Sequence, residues 1–224
     1  KTIFNYRNVY DPESRFMRGR LPNGEWAQKD FDPTAWGGPF IEGNAWQYTW
    51  HVQHDVEGLI DLFGGKEKFA NKLDSLFFLE SSAENTGFTQ DVTGLIGQYA
   101  HGNEPSHHVA YLYNYAGQPW MTQKRIRVLL NQWFRNDLMG VPGDEDGGGM
   151  TAFVVFSMMG FYPVTPGSPT YNIGSPVFQS AKMEVGDGHY FEIIAENYAP
   201  DHKYIQSATL NGTPWNKPWF SHAD

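Results

Sequence analysis

The sequence predicts a mainly α-helical protein, part of an (α/α)6 toroid of helical hairpins, followed by an antiparallel β segment. Three observations carry this. Apolar residues recur at three- and four-residue steps in paired runs joined by short loops. The loops richest in polar groups each stand immediately before a helix. After Pro163 the texture changes to short β-prone runs separated by turn signals. The division falls at residues 1–165 and 166–224, with the β segment incomplete. There are too few helical residues to close a six-hairpin ring, and the chain ends on Trp219 to Asp224 without a turn or cap. A fragment of something larger is therefore expected.

Residues 1–40 are rich in Pro, Gly, Asp and Asn and read as a long irregular segment that wraps a neighbour or lines a site. From Ala45 to Phe63 the spacing of Tyr48, Val52, Val56, Leu59, Ile60 and Phe63 predicts one helix, stopped by Gly64-Gly65. Lys66 to Phe78 predicts the next, with Phe69, Leu73, Leu76 and Phe77 on one face. A polar loop, Ser81 to Asp91, leads to a dozen residues, Gly97 to His108, that hold three histidines, an acid, an amide and a hydroxyl. Ser106 to Tyr115 reads as helix, ended at Gly117 and Pro119. Thr122 is the expected cap of a helix whose face is Ile126, Leu129, Leu130 and Trp133. Thr151 to Met159 is almost wholly apolar, which predicts burial on all sides. Strands are expected at Tyr171–Ile173, Val177–Val185, Tyr190–Glu196 and Tyr204–Leu210, with Asn211-Gly212 among the turns.

Composition excludes several function classes. Acidic residues outnumber basic ones 25 to 16, a formal net charge of −9, which argues against nucleic-acid binding. No run of apolar residues is long enough for a membrane span. The absence of cysteine removes disulfides, thiolate catalysis and Cys-ligated zinc, and leaves the compartment open. Aromatic residues make up 16% of the chain. They build cores, and they also stack on sugar rings.

Three loops carry the candidate chemistry: Phe40 to Tyr48, Gly97 to His108, and Gly143 to Gly149. Alternate loops of a hairpin toroid share a rim, so the three are expected to meet around one pocket. In the third, Asp144, Glu145 and Asp146 lie among glycines at the mouth of an apolar helix; an EF-hand is excluded because its later acids and closing Glu are missing. In the second, the spacing of His101, Glu104, His107 and His108 matches no zinc motif, while Asn103 and Glu104 offer hard oxygen donors suited to Ca²⁺. Each histidine taken alone is more often a structural hydrogen-bonder. Glu42 is a lone acid among Gly, Ile, Phe and Trp, company that raises a carboxyl pKa and suits a general acid; the other reading is an N-cap carboxylate. One raised acid beside a separate hydrated acidic pair is the arrangement glycoside hydrolysis uses.

Glu42-Gly-Asn-Ala-Trp-Gln-Tyr48, Asp91-Val-Thr-Gly through His108, and Asp146 through Met150 to Val164 together resemble glycoside hydrolase family 92, the calcium-dependent exo-acting α-mannosidases. The resemblance implies an inverting enzyme of mannose-containing oligosaccharides, with Ca²⁺ as cofactor. This chain would hold the later part of the catalytic barrel, without the family's N-terminal β-sandwich domain. Carried over by motif, Glu42 would be the general acid, and Asp144 and Asp146 the base. Asn103, Glu104 and Asp146 would surround Ca²⁺, and Trp46, Gln47, His107 and His108 would contact substrate. A bacterial secreted, periplasmic or cell-surface location goes with the family. Where members cutting α-1,2 bonds carry His-Glu, this chain has Phe88-Thr89, which leaves the linkage open. Two other readings stand beside this one: a non-catalytic carbohydrate-binding fragment, and a metal-dependent hydrolase of another kind.

Overall fold

A computed structural model of the protein describes residues 2–81 and 92–224. It is mixed, with more helix than strand. Helices α1 (Ala45–Tyr48), α2 (Val56–Phe63) and α3 (Lys66–Phe78) come first. Helix α4 (Pro119–Trp133) and helix α5 (Gly149–Met159) follow. Short 3-10 turns occupy Thr2–Asn8, Glu104–Ser106, Val109–Asn114 and Asp146–Gly148.

The helix expected over Ala45 to Phe63 is broken in two. Asn44 caps α1 through a reciprocal pair with Gln47, and Asp55 starts α2 afresh by accepting from the Gly58 amide. The apolar rhythm continues across the break because the intervening segment is also interior. Trp50 is fully buried, stacked on Phe63 at 5.6 Å and edge-on to Phe69. Gly64 ends α2 in the left-handed conformation (φ 81°), as Gly-Gly predicts. Helix α3 buries Phe69, Leu73, Leu76 and Phe77, the expected face.

Ser106 to Tyr115 is not an α-helix but two 3-10 turns, the second buried at all six positions. Helix α4 begins at Pro119, whose fixed φ suits a first turn, so Thr122 lies one turn inside it. Its Oγ1 is buried without a partner among the described residues. Arg125 on this helix is also buried, lying over Phe77 at 4.5 Å and reaching Asp74. Helix α5 corrects another expectation: Met150, Phe153 and Ser157 face inward, but Val155 is 52% exposed, so one apolar side is open.

Two short antiparallel pairs come early, β1 (Tyr10–Asp11) with β2 (Phe16–Met17) and β3 (Leu95–Ile96) with β4 (Tyr99–Ala100), and the β part that follows is also antiparallel. Strand β6 (Thr170–Ile173) pairs with β5 (Phe161–Tyr162) on one side and β11 (Trp219–Ser221) on the other. The hairpins are β7 (Ser180–Gly186) with β8 (His189–Ile194), and β9 (Thr209–Leu210) with β10 (Thr213–Pro214). Asn211 and Gly212 have φ of 50° and 78° in the latter's two-residue turn. The strand expected from Tyr204 shrinks to Thr209–Leu210 because side chains take its main-chain groups. Gln123 Oε1 accepts from the Ile205 amide and Gln206 Nε2 donates to the Tyr204 carbonyl. Among the described residues no helix is long and apolar enough to cross a membrane.

Candidate active site

The second candidate loop is the hub. Strands β3 (Leu95–Ile96) and β4 (Tyr99–Ala100) form a tight hairpin whose Gly97, at φ 62°, lies against the end of α3. A Cβ there would be 2.5 Å from the Leu76 carbonyl oxygen. Gln98 at its tip locks the first loop in place. Its carbonyl accepts from Gln47 Nε2 at 3.2 Å and its Oε1 from Asn44 Nδ2 at 3.4 Å. Asn103 then donates from Nδ2 to the Glu42 carbonyl at 2.7 Å. The third loop arrives glycine on glycine: a Cβ on Gly143 would lie 2.5 Å from the Gly102 carbonyl oxygen. Further on, Gly149 packs against the Glu104 side chain. The three loops therefore converge on Gly102, Asn103 and Glu104.

Glu104 is where the electrostatics concentrate. Its carboxyl is raised above the usual range, first by burial and then by a shared hydrogen bond with Asp146 and the negative charge of Asp146 and Asp144. Its own backbone amide opposes this in part. Oε1 is shut off from solvent without a hydrogen-bond partner among the described residues. Two ionised carboxylates only accept and cannot satisfy each other; a proton or a cation between them can. With Asn103 Nδ2 committed to Glu42, the amide oxygen is that side chain's remaining donor. Asn103, Glu104 and Asp146 are thus the residues that could hold a hard divalent cation, to which they would present oxygen alone. No group of three or more His, Asp or Glu side chains is disposed around a metal position among the described residues. The fit rests on two carboxylates and an amide.

The three acids of the third loop divide. Glu145 is engaged: Oε1 accepts from the Thr151 amide at 3.3 Å and from the Thr151 hydroxyl, capping α5. Asp144 and Asp146 are left exposed. Asp146 sits at φ 44°, in the left-handed region, followed by Gly147 and Gly148 at 67° and 104°. Glu42 is also left-handed, at φ 53°. Glutamate has no short polar side chain to stabilise that region, so the surroundings impose it.

Two expectations change here. Glu42 is exposed, so the isolation expected from its apolar sequence neighbours is absent, and burial acts on Glu104 instead. Nor does Glu42 cap α1, since Asn44 does. The side chains expected to touch sugar are interior. Trp46, Gln47, His107 and His108 are each at most 5% exposed. Gln47 uses both ends of its amide, accepting from the Asn44 amide and donating to Gln98. His107 Nε2 donates to the His101 carbonyl at 3.2 Å, and His108 Nε2 to the Trp50 carbonyl at 2.8 Å. Burial holds both imidazoles neutral, with pKa lowered to about 4. In this structure these four side chains are packed and bonded within the protein interior. Asp91, Phe88 and Thr89 lie outside the described residues.

Gln98, Asn44 and Tyr48 hold the loops together and had no role assigned from sequence, although all three sit inside the strings that stood out. Two surface clefts, of about 360 and 210 Å³, are lined by Phe78, Glu80, Ser81, Leu95 and Gly97, and by residues around Gln123, Ile205 and Trp215. Neither is lined by Glu42, Glu104, Asp144 or Asp146.

A family profile for the glycosyl hydrolase family 92 catalytic domain matches residues 2–224. The chain is 40% identical to the family GH92 α-mannosidase BT3965 of Bacteroides thetaiotaomicron, with a TM-score of 0.88 over 97% of this chain and 29% of that one. A structure of BT3965 in complex with mannoimidazole aligns at a TM-score of 0.89. The inverting mannosidase BT2199 of the same organism is 41% identical, with a TM-score of 0.85 over 98% of this chain and 31% of that one. An uncharacterized secreted glycosidase of Arthroderma benhamiae is 31% identical over 220 residues, which is 92% of this chain and 26% of that protein. The chain thus spans less than a third of the length of these relatives. With a profile match across nearly every residue and the shared fold, the chain belongs to glycoside hydrolase family 92.

Proposed function

We propose that the protein releases terminal α-linked mannose from oligosaccharides with inversion at the anomeric carbon. Residues 1–165 form part of an (α/α)6 catalytic barrel and 166–224 the start of its closing β segment, joined in the longer protein by an N-terminal β-sandwich domain. The observation that carries the reading is the convergence of two strained acids, Glu42 and Asp146, on one oxygen-rich platform, Asn103 and Glu104. Backbone strain at acids that share a face belongs to sites with a task. The family membership gives that task its chemistry.

In this reading Glu42 protonates the glycosidic oxygen as the bond to the anomeric carbon breaks. Asp144 and Asp146, both exposed, take the proton from the water that attacks the opposite face. Inversion needs the two carboxyl groups roughly 6.5–9.5 Å apart, leaving room for that water. Asn103, Glu104 and Asp146 would hold Ca²⁺. When bound it would neutralise the crowded carboxylates and take up two sugar hydroxyls, favouring a distorted ring. His107 and His108 support the platform from behind. A secreted, periplasmic or cell-surface location in a bacterium goes with this activity.

The test is a mannobiose panel read by NMR with the full-length protein, which reports linkage and the anomer formed first. Release of β-mannose from an α-mannoside is expected. The Glu42→Gln variant should lose about 10²–10⁴-fold in kcat, and EDTA should abolish activity until Ca²⁺ is returned. First-formed α-mannose would overturn inversion, and rates indifferent to chelation would remove the metal. Saccharide binding without turnover would favour the non-catalytic reading, and preference for a transition metal the other hydrolase.

A further inference from the structure

We propose that Tyr48 is a positioning residue for Glu42, holding the proposed acid in its left-handed conformation; this rests on the reading of Glu42 as the acid. The loop before α1 is wrapped around the Tyr48 side chain. Its hydroxyl accepts from the Ile41 amide at 3.1 Å and donates to the carbonyl of that same residue. One phenol oxygen thus occupies both main-chain groups of the residue preceding Glu42. Phe40 packs on the ring at 5.1 Å. Gly43, immediately after Glu42, lies so close that a Cβ there would be 2.9 Å from Tyr48 Cε2. The two residues before the acid and the one after it therefore all meet a single side chain.

From the other direction, Asn103 holds the Glu42 carbonyl, and the Gly37 amide donates to the Gly43 carbonyl at 2.9 Å. Glu42 has no freedom to relax to negative φ while these contacts stand. Tyr48 itself is fixed by α1 and by His51, whose ring lies 4.9 Å away. The aromatic ring is thus a template for the acid's backbone, and its hydroxyl sets the direction in which the carboxyl leaves the loop. Misplacing a reacting group by about 1 Å can cost 10²-fold.

The test uses the full-length protein and two substrates, a mannobiose, whose poor leaving group needs an acid, and dinitrophenyl α-mannoside, whose leaving group does not. Glu42→Gln should lose activity on the first and keep it on the second. Tyr48→Phe should show the same selectivity at smaller size, kcat on mannobiose falling about ten- to a hundredfold with KM unchanged. In the Glu42→Gln background Tyr48→Phe should add nothing further. Gly43→Ala, which presses on the ring from the other side, should reproduce the pattern and decides the matter if Tyr48→Phe does not fold. Equal losses on both substrates, or full additivity with Glu42→Gln, would overturn the role of Tyr48. Loss on both substrates in Glu42→Gln itself would overturn the acid assignment, and the proposal with it.

Discussion

The stretch from His101 to His108 and the loop from Gly143 to Gly149 each gather several ionisable groups, and they are built in opposite ways. The first is interior: its three histidines are at most 4% exposed. His101 and His107 stack at 4.7 Å against Phe153, and Tyr99 hydroxyl meets His101 Nδ1 at 2.7 Å. The second is largely open to solvent, turns through three consecutive left-handed residues, and is tied to the helix after it through Glu145. Buried polar groups bonded to their neighbours rigidify a core, and here His101 Nε2 and Glu104 Oε1 are the buried atoms of the stretch left without a partner among the described residues. Exposed acids on a strained backbone are held ready for something else. Glu104 is the member of the first stretch that faces the second, and burial together with the charge of Asp146 and Asp144 raises its carboxyl.

The sharpest way to break this comparison is Asp146→Asn. Removing the charge should cost about 10²–10⁴-fold in kcat while the melting temperature stays level or rises, because Asn tolerates the left-handed region better than most residues. A parallel loss of stability and activity would show that the loop is architecture after all.

The histidine side is tested by acid. Burial lowers the pKa of His51, His107 and His108 to about 4, below the unfolded value near 6.5. The unfolded chain therefore binds more protons between those limits, so stability is full above about pH 6.5 and is lost as pH falls towards 4. Each group contributes at most about 1.4 kcal/mol per pH unit in that window. Urea denaturation at pH 7 and pH 5 should show the loss, and equal midpoints would mean the imidazoles are not buried neutral.

The smallest effect sharpens the contrast. Gly147 has φ 67° with nothing within 4 Å of a Cβ position. Gly147→Ala should therefore cost only the conformational term, about 1 kcal/mol, read from thermal unfolding. A larger penalty would reveal packing that the open loop does not show.

Much of this was legible in the sequence where local chemistry decides. Gly64, the face of α3 and the Asn211-Gly212 turn follow from propensity and period alone. The three loops stood out as strings, and the expectation that they meet holds at Gly102, Asn103 and Glu104. The misses share a cause. Trp50 hid a helix break because a buried bend keeps the same apolar rhythm as a helix. Tyr204 to Ala208 read as strand because a sequence does not show that Gln123 will take the Ile205 amide. Glu42 among apolar neighbours in sequence is not among them in space: Ile41 is 77% exposed, and Phe40 turns to Tyr48. Sequence neighbours set local conformation, whereas desolvation depends on what folds over a residue, and at Glu104 that came from the loop some forty residues on.

The contact between Gly102 and Gly143 has a consequence of its own. Main chain touches main chain there, with no side chain interposed, and Gly143 adopts φ 72° to allow it. The span between the Asn103–Glu104 shelf and the acids at 144 and 146 is thus gauged by a backbone-to-backbone contact, which depends on no side-chain rotamer. Carboxylates may be exchanged on either side for different chemistry, and the calliper that separates them stays at the same setting.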